Sequence, residues 1–143
     1  MRDFTVTFLQ VETTGFNLST DRVVLVAWKA WSLVNGCTFG QEAETFASCP
    51  NDALNGLTDR IVVAPKPEFA FSWLEKDAGS IRTKQRIDLC SLAAPLLLCG
   101  HVASTSLDAL AVYFGVPDTH SKLDTMAEVW EGLLAAYLLK EGP

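Results

Sequence analysis

Long apolar runs are missing from this chain. The longest, Leu92 to Cys99, falls far short of the roughly 20 residues that cross a bilayer as a helix, so no membrane span is expected. Basic charge is also in short supply: 11 Lys and Arg stand against 17 Asp and Glu, a net charge of −6. A protein that holds many phosphates normally carries a basic surplus, because counterion release drives that binding, so nucleic acid is disfavoured as the main partner. Cysteine is sparse and scattered at Cys37, Cys49, Cys90 and Cys99, without CxxC spacing or a paired His cluster. That pattern indicates neither a zinc site nor a redox motif, and the thiols are expected to be reduced, partly buried small hydrophobes. The opening Met1-Arg2-Asp3-Phe4 has no charged-then-apolar leader, so a cytoplasmic or otherwise intracellular protein is expected.

What is present is ordinary globular composition. Hydrophobic residues make up 49% and charged residues 20%, which excludes disorder, collagen and coiled coil. With 143 residues the chain reads as a single domain, 1–143, able to bury about two thirds of its unfolded surface.

The first third reads as strands. Phe4, Val6 and Phe8, then Leu9 and Val11, form one β run, and Arg22 to Trp31 forms another. A turn-rich stretch, Glu12 to Asp21, joins them. Asn35-Gly36 is a strong hairpin signal and leads to a third strand over Thr38 to Ala47, so an antiparallel meander is expected. Ile61 to Ala64 suits a buried fourth strand, which Pro65 and Pro67 terminate. Helices are expected over Glu68 to Lys76, with Phe69, Phe71 and Trp73 on the inner side. More are expected from Arg86 onward, over Ser106 to Gly115 with Ser106 as N-cap, and along an amphipathic C-terminal stretch through Leu123, Met126, Trp130, Leu134 and Leu138. Strands followed by helices give an α/β or α+β domain. Trp28 and Trp31 differ by an odd number and so face opposite sides of their strand. One of them is therefore a candidate interface residue.

The most informative segment is Phe8-Leu-Gln-Val-Glu-Thr-Thr-Gly15: a strand that ends in a glutamate and a Thr-Thr-Gly turn, with the carboxylate placed where a metal could be held. It resembles the first motif, Asp-x-Glu-Thr-Thr-Gly, of the DnaQ-like (DEDDh) 3′–5′ exonucleases. The resemblance covers nearly the whole chain and implies a ribonuclease-H-like fold: a mixed sheet of three antiparallel strands and then a parallel strand, flanked by helices.

Residue by residue, the resemblance implies a degenerate site. Gln10 stands at the first aspartate position and Glu12 matches the glutamate. In the second motif Phe69 matches, but Ala70 takes the aspartate position. In an alternative alignment, Gly56-Leu57-Thr58 matches a Gly-Ile-Thr helix before the fourth strand, and the second motif is absent. In the last motif, His-x-Ala-x-x-Asp, His120 matches, Lys122 replaces the alanine and Thr125 the aspartate. Asp124 lies one residue early, a rotation of about 100° on a helix.

Two-metal phosphodiester hydrolysis needs several carboxylates converging on ions about 3.5–4 Å apart, and Mg2+ binds weakly without anionic oxygen ligands. Only Glu12 survives from the implied four carboxylates. No cofactor is expected, with Mg2+ or Mn2+ required if the chain is active. The expected function is an inactive exonuclease-like domain that serves as a protein-interaction or assembly module, or holds nucleic acid without cleaving it. The alternative is an active metal-dependent 3′–5′ exonuclease rebuilt around Glu12, His120 and Asp124, with Asp88 or Asp108 nearby. Plainer roles also exist: Glu12 as acceptor for the turn amides of Thr13 to Gly15, His120 as a helix cap, and Asp108 as a first-turn carboxylate complementing the helix dipole.

Overall fold

The computed structural model describes residues 3–34, 37–46 and 56–138. Five strands, β1 (Phe4–Thr13), β2 (Val23–Val34), β3 (Cys37–Phe46), β4 (Ile61–Ala64) and β5 (Gln85–Asp88), form one sheet in the order β3-β2-β1-β4-β5. The first three strands are an antiparallel meander, whereas β4 runs parallel to β1 and β5 parallel to β4. The expected meander and fourth strand are therefore present. Val34 pairs with Cys37; Asn35 and Gly36 between them, like Ala47, Cys49 and Asn55, lie outside the described residues.

Among the described residues five helices accompany the sheet: α1 (Pro67–Ala78), α2 (Leu89–Leu92), α3 (Ala94–Leu98), α4 (Leu107–Tyr113) and α5 (Lys122–Leu138). The helix expected to open at Arg86 needs correction. Gln85–Asp88 is an edge strand, and the helix begins only after Asp88, whose carboxylate accepts the Cys90 and Ser91 N–H groups as N-cap. Asp88 also accepts the Lys66 N–H at 3.3 Å, tying the β4–α1 turn to the β5–α2 turn. Asp88 is thus a structural cap. Gly56 to Asp59 form turns, not the helix of the alternative alignment.

Strand alternation divides the core into two layers. Phe8 of β1, Trp31 of β2 and Val63 of β4 pack under Leu123, Met126, Trp130 and Leu133 of α5, with Leu110 of α4. Leu9, Val26 and Val62 face the other way, onto Ala70, Phe71, Trp73 and Leu74 of α1. Trp28 and Trp31 do point to opposite faces: Trp31 is buried in the α5 layer, and Trp28 packs partly buried against the α1 layer. Phe69 departs from expectation: Phe71 and Trp73 are buried, while Phe69 is 40% exposed. Among the described residues no helix is long and apolar enough to cross a membrane.

Candidate functional site

Parallel β1 and β4 leave a crevice at their carboxyl ends, with α1 on one face of the sheet and α5 on the other. In open α/β sheets this is the position where ligands bind. The crevice has a volume of about 300 Å3, and Gln10 of β1, Ala64 and Pro65 after β4, Ala70 of α1, Asp108 of α4 and Lys122 of α5 line it, with Leu9, Phe69 and Met126 as apolar wall.

Local sequence explains how each residue reaches the crevice. Gln10 follows Phe8 on the α5-facing side of β1, and pairing with β2 slips between Glu12 and Thr13. Such bulges re-aim side chains next to binding sites. Ala70 sits in the first turn of α1, which Pro67 opens. Lys66 before it adopts a left-handed conformation, φ 52°. Ser106 caps α4 by accepting the Ala109 N–H and brings Asp108 to the rim in the first turn, as expected.

The candidate residues are distributed, not convergent. Gln10 and Ala70 share the crevice. Glu12, exposed at the end of β1, accepts a hydrogen bond from Gln10 Nε2 at 2.9 Å. His120 and Asp124 line a separate groove of about 240 Å3 between β2 and α5. There Asp124 is paired with Lys29 of β2 at 2.7 Å and His120 Nε2 lies 3.4 Å from Glu128. The hydrogen bond from Lys29, and then its charge, hold the Asp124 carboxyl below its ordinary range despite partial burial. Thr125 and His120 line a third cavity, of about 370 Å3, between α4 and the start of α5, which shares Asp108 and Lys122 with the crevice; the Thr125 hydroxyl donates to the Ser121 carbonyl within its own helix. The cap of α5 is Ser121, whose Oγ accepts the Asp124 N–H, and not His120.

The polar side chains that line the crevice are the Gln10 amide, the Ser106 hydroxyl, the Lys122 ammonium and one carboxylate, Asp108, and Ala70 adds only a methyl. Those groups do not fit a pair of divalent cations. Among the described residues no three His, Cys, Asp or Glu side chains gather in a group able to hold a metal ion. Sequence matching missed Lys29, which engages Asp124 from 95 positions away; no local pattern marks such a contact. It also missed Phe16, 89% exposed, whose ring lies 6.3 Å from that of Phe69 at the crevice wall. An aromatic residue in a polar turn was its only signal.

The fold is that of known nucleases. The chain is similar to a nuclease in its apo form at 17% identity and a TM-score of 0.61, over 96% of this chain and 74% of that one. Exonuclease I matches at 16% identity and 0.61, covering 95% of this chain and 42% of that one. Its product-bound form matches at 16% and 0.62, covering 95% and 44%. The chain thus spans less than half the length of exonuclease I. No protein-family model and no curated protein matches the sequence. At these identities the likeness shows an exonuclease-like fold alone.

Proposed function

We propose that this chain is a ribonuclease-H-like domain related to the DnaQ-like exonucleases that does not cut, and that it works as a protein-interaction or assembly module. The observation that carries this reading is the crevice lining. At the positions where the resemblance calls for aspartates, Gln10 and Ala70 line the cavity, and Lys122 in the same lining brings a positive charge to it. An ammonium there repels divalent cations, and a neutral amide and a methyl do not offset that repulsion. If the domain did cut, it would need Mg2+ or Mn2+, as the alternative rebuilt site requires. That alternative gains nothing from the arrangement, because Glu12, His120 and Asp124 each engage a different neighbour.

A protein partner is favoured over nucleic acid by the net charge of −6 and by Asp108 in the crevice. The exposed Phe16 and half-exposed Phe69 offer apolar contact area at the rim. Purified protein incubated with a single-stranded oligonucleotide and Mg2+ or Mn2+ should leave it intact. Digestion that Glu12→Gln abolishes would overturn the reading. Oligonucleotide affinity measured against salt should be absent or flat; a steep loss of affinity with rising salt would establish phosphate binding instead.

A further inference from the structure

Lys122 and Asp108 both line two adjoining cavities, the crevice and the groove between α4 and the start of α5. Neither takes part in an ion pair among the described residues. Both side chains are exposed at the border of a shared space, a cation and a carboxylate with no ion pair between them. A ligand that satisfies both carries an anion beside an N–H donor. The last residue of a polypeptide has that chemistry: its carboxylate suits Lys122, and its own amide N–H suits Asp108. The surrounding walls are apolar, with Leu9, Phe69 and Met126 in the crevice and Ala111 and Val116 in the groove, and so accept apolar side chains.

The count of charges selects among ligands. A nucleic-acid strand carries one phosphate per nucleotide and would press further phosphates against Asp108 and against Asp118, which lines the groove. A chain terminus brings a single negative charge to the single cation. We infer that the two cavities together receive the C-terminal end of an extended partner chain whose last side chain is apolar. The inference rests on the proposed role as a protein-interaction module and names what that module holds.

The test uses the full chain, 15N-labelled, titrated with acetyl-Ala-Ala-Phe bearing a free C-terminal carboxylate and with the same peptide as its C-terminal amide. The free acid should shift the Gln10, Phe69 and Lys122 amide resonances saturably. Loss of a charge-assisted contact is worth about tenfold in affinity, so the amide should bind about tenfold more weakly, and Lys122→Ala should weaken the acid by the same factor while leaving the amide unchanged. Asp108→Ala should weaken both. Equal binding of acid and amide, or an unaltered Lys122→Ala variant, overturns the inference. So does an oligothymidylate that displaces the peptide from the same residues. Metal-dependent digestion sinks the parent reading; an intact oligonucleotide with no peptide binding sinks this inference alone.

Discussion

Lys29 and Asp124 stand 95 positions apart in the chain and 2.7 Å apart in space, and their pairing is a thermodynamic statement. Asp124 has its carboxyl pKa lowered, first by the Lys29 hydrogen bond, so the unfolded chain takes up the proton before the folded one does. Its contribution is therefore complete above the ordinary aspartate pKa of about 3.9 and disappears as pH falls through the folded value. Glu75, lowered chiefly by the Ile81 N–H, acts in the same window. The Asp124 side chain is 47% exposed, which limits the pair to about 0.5 kcal/mol. Asp124→Asn should lose that much at pH 7 in urea denaturation, and the gap to the parent chain should close below about pH 4; a gap unchanged at pH 3 would exclude the ion pair as its source. Asp88 has more at stake, because its carboxylate serves Lys66, Cys90 and Ser91 N–H groups on two turns. Asp88→Ala should cost about 1–2 kcal/mol, and a loss within error would mean that these turns hold without it.

At the scale of elements, α5 meets the loop after α4 where Gly132 faces Phe114. A Cβ built on Gly132 would lie 2.5 Å from Phe114 Cδ1. Gly→Ala inside a helix ordinarily gains about 0.5–1 kcal/mol, but overlap with a packed ring costs about 1–3 kcal/mol, so overlap wins. Gly132→Ala should destabilise by about 1 kcal/mol, and in a Phe114→Ala background the same change should become stabilising; destabilisation in both backgrounds would place the cause elsewhere. Element by element, legibility followed the strength of the local pattern. β1, β2 and β4 carry apolar alternation or a β-branched run, and α4 and α5 carry a cap and a 3.6-residue stripe, so their places could be read directly. The strand Gln85–Asp88 offers only Ile87 as an apolar side chain and ends on a residue that caps the next helix. The helix expected from Arg86 onward therefore ran over a strand that only pairing with β4 creates. Phe69 was misplaced for a related reason: helical spacing identifies a face, but the crevice at the sheet's end leaves part of that face uncovered.

For the molecule as a whole, the resemblance located the crevice through Gln10 and Ala70, because backbone topology carries those positions to one place whatever side chain they bear. It could not locate the partners that claim Glu12, His120 and Asp124, since those contacts depend on side chains distant in sequence. If the fold still holds the geometry of a metal site and has lost only its ligands, restoring them should restore binding. Gln10→Asp and Ala70→Asp would add two carboxylates to the crevice, Lys122→Ala would remove its cation, and Thr125→Asp would add a third carboxylate in the neighbouring cavity that shares Asp108 and Lys122 with it. Without metal, clustered carboxylates repel and the buried Ala70 position, 5% exposed, would hold a poorly solvated acid, so the variant should melt below the parent chain. A cation that binds only the folded state raises stability by RT ln(1 + [L]/Kd), about 2.7 kcal/mol at a hundredfold excess over Kd. Millimolar Mg2+ or Mn2+ should therefore raise the variant's Tm by several degrees and leave the parent's unchanged, as followed by thermal denaturation with and without EDTA. Equal responses would sink the idea in either direction: if both chains respond, the parent already holds metal, and if neither does, the crevice no longer has the geometry of a metal site.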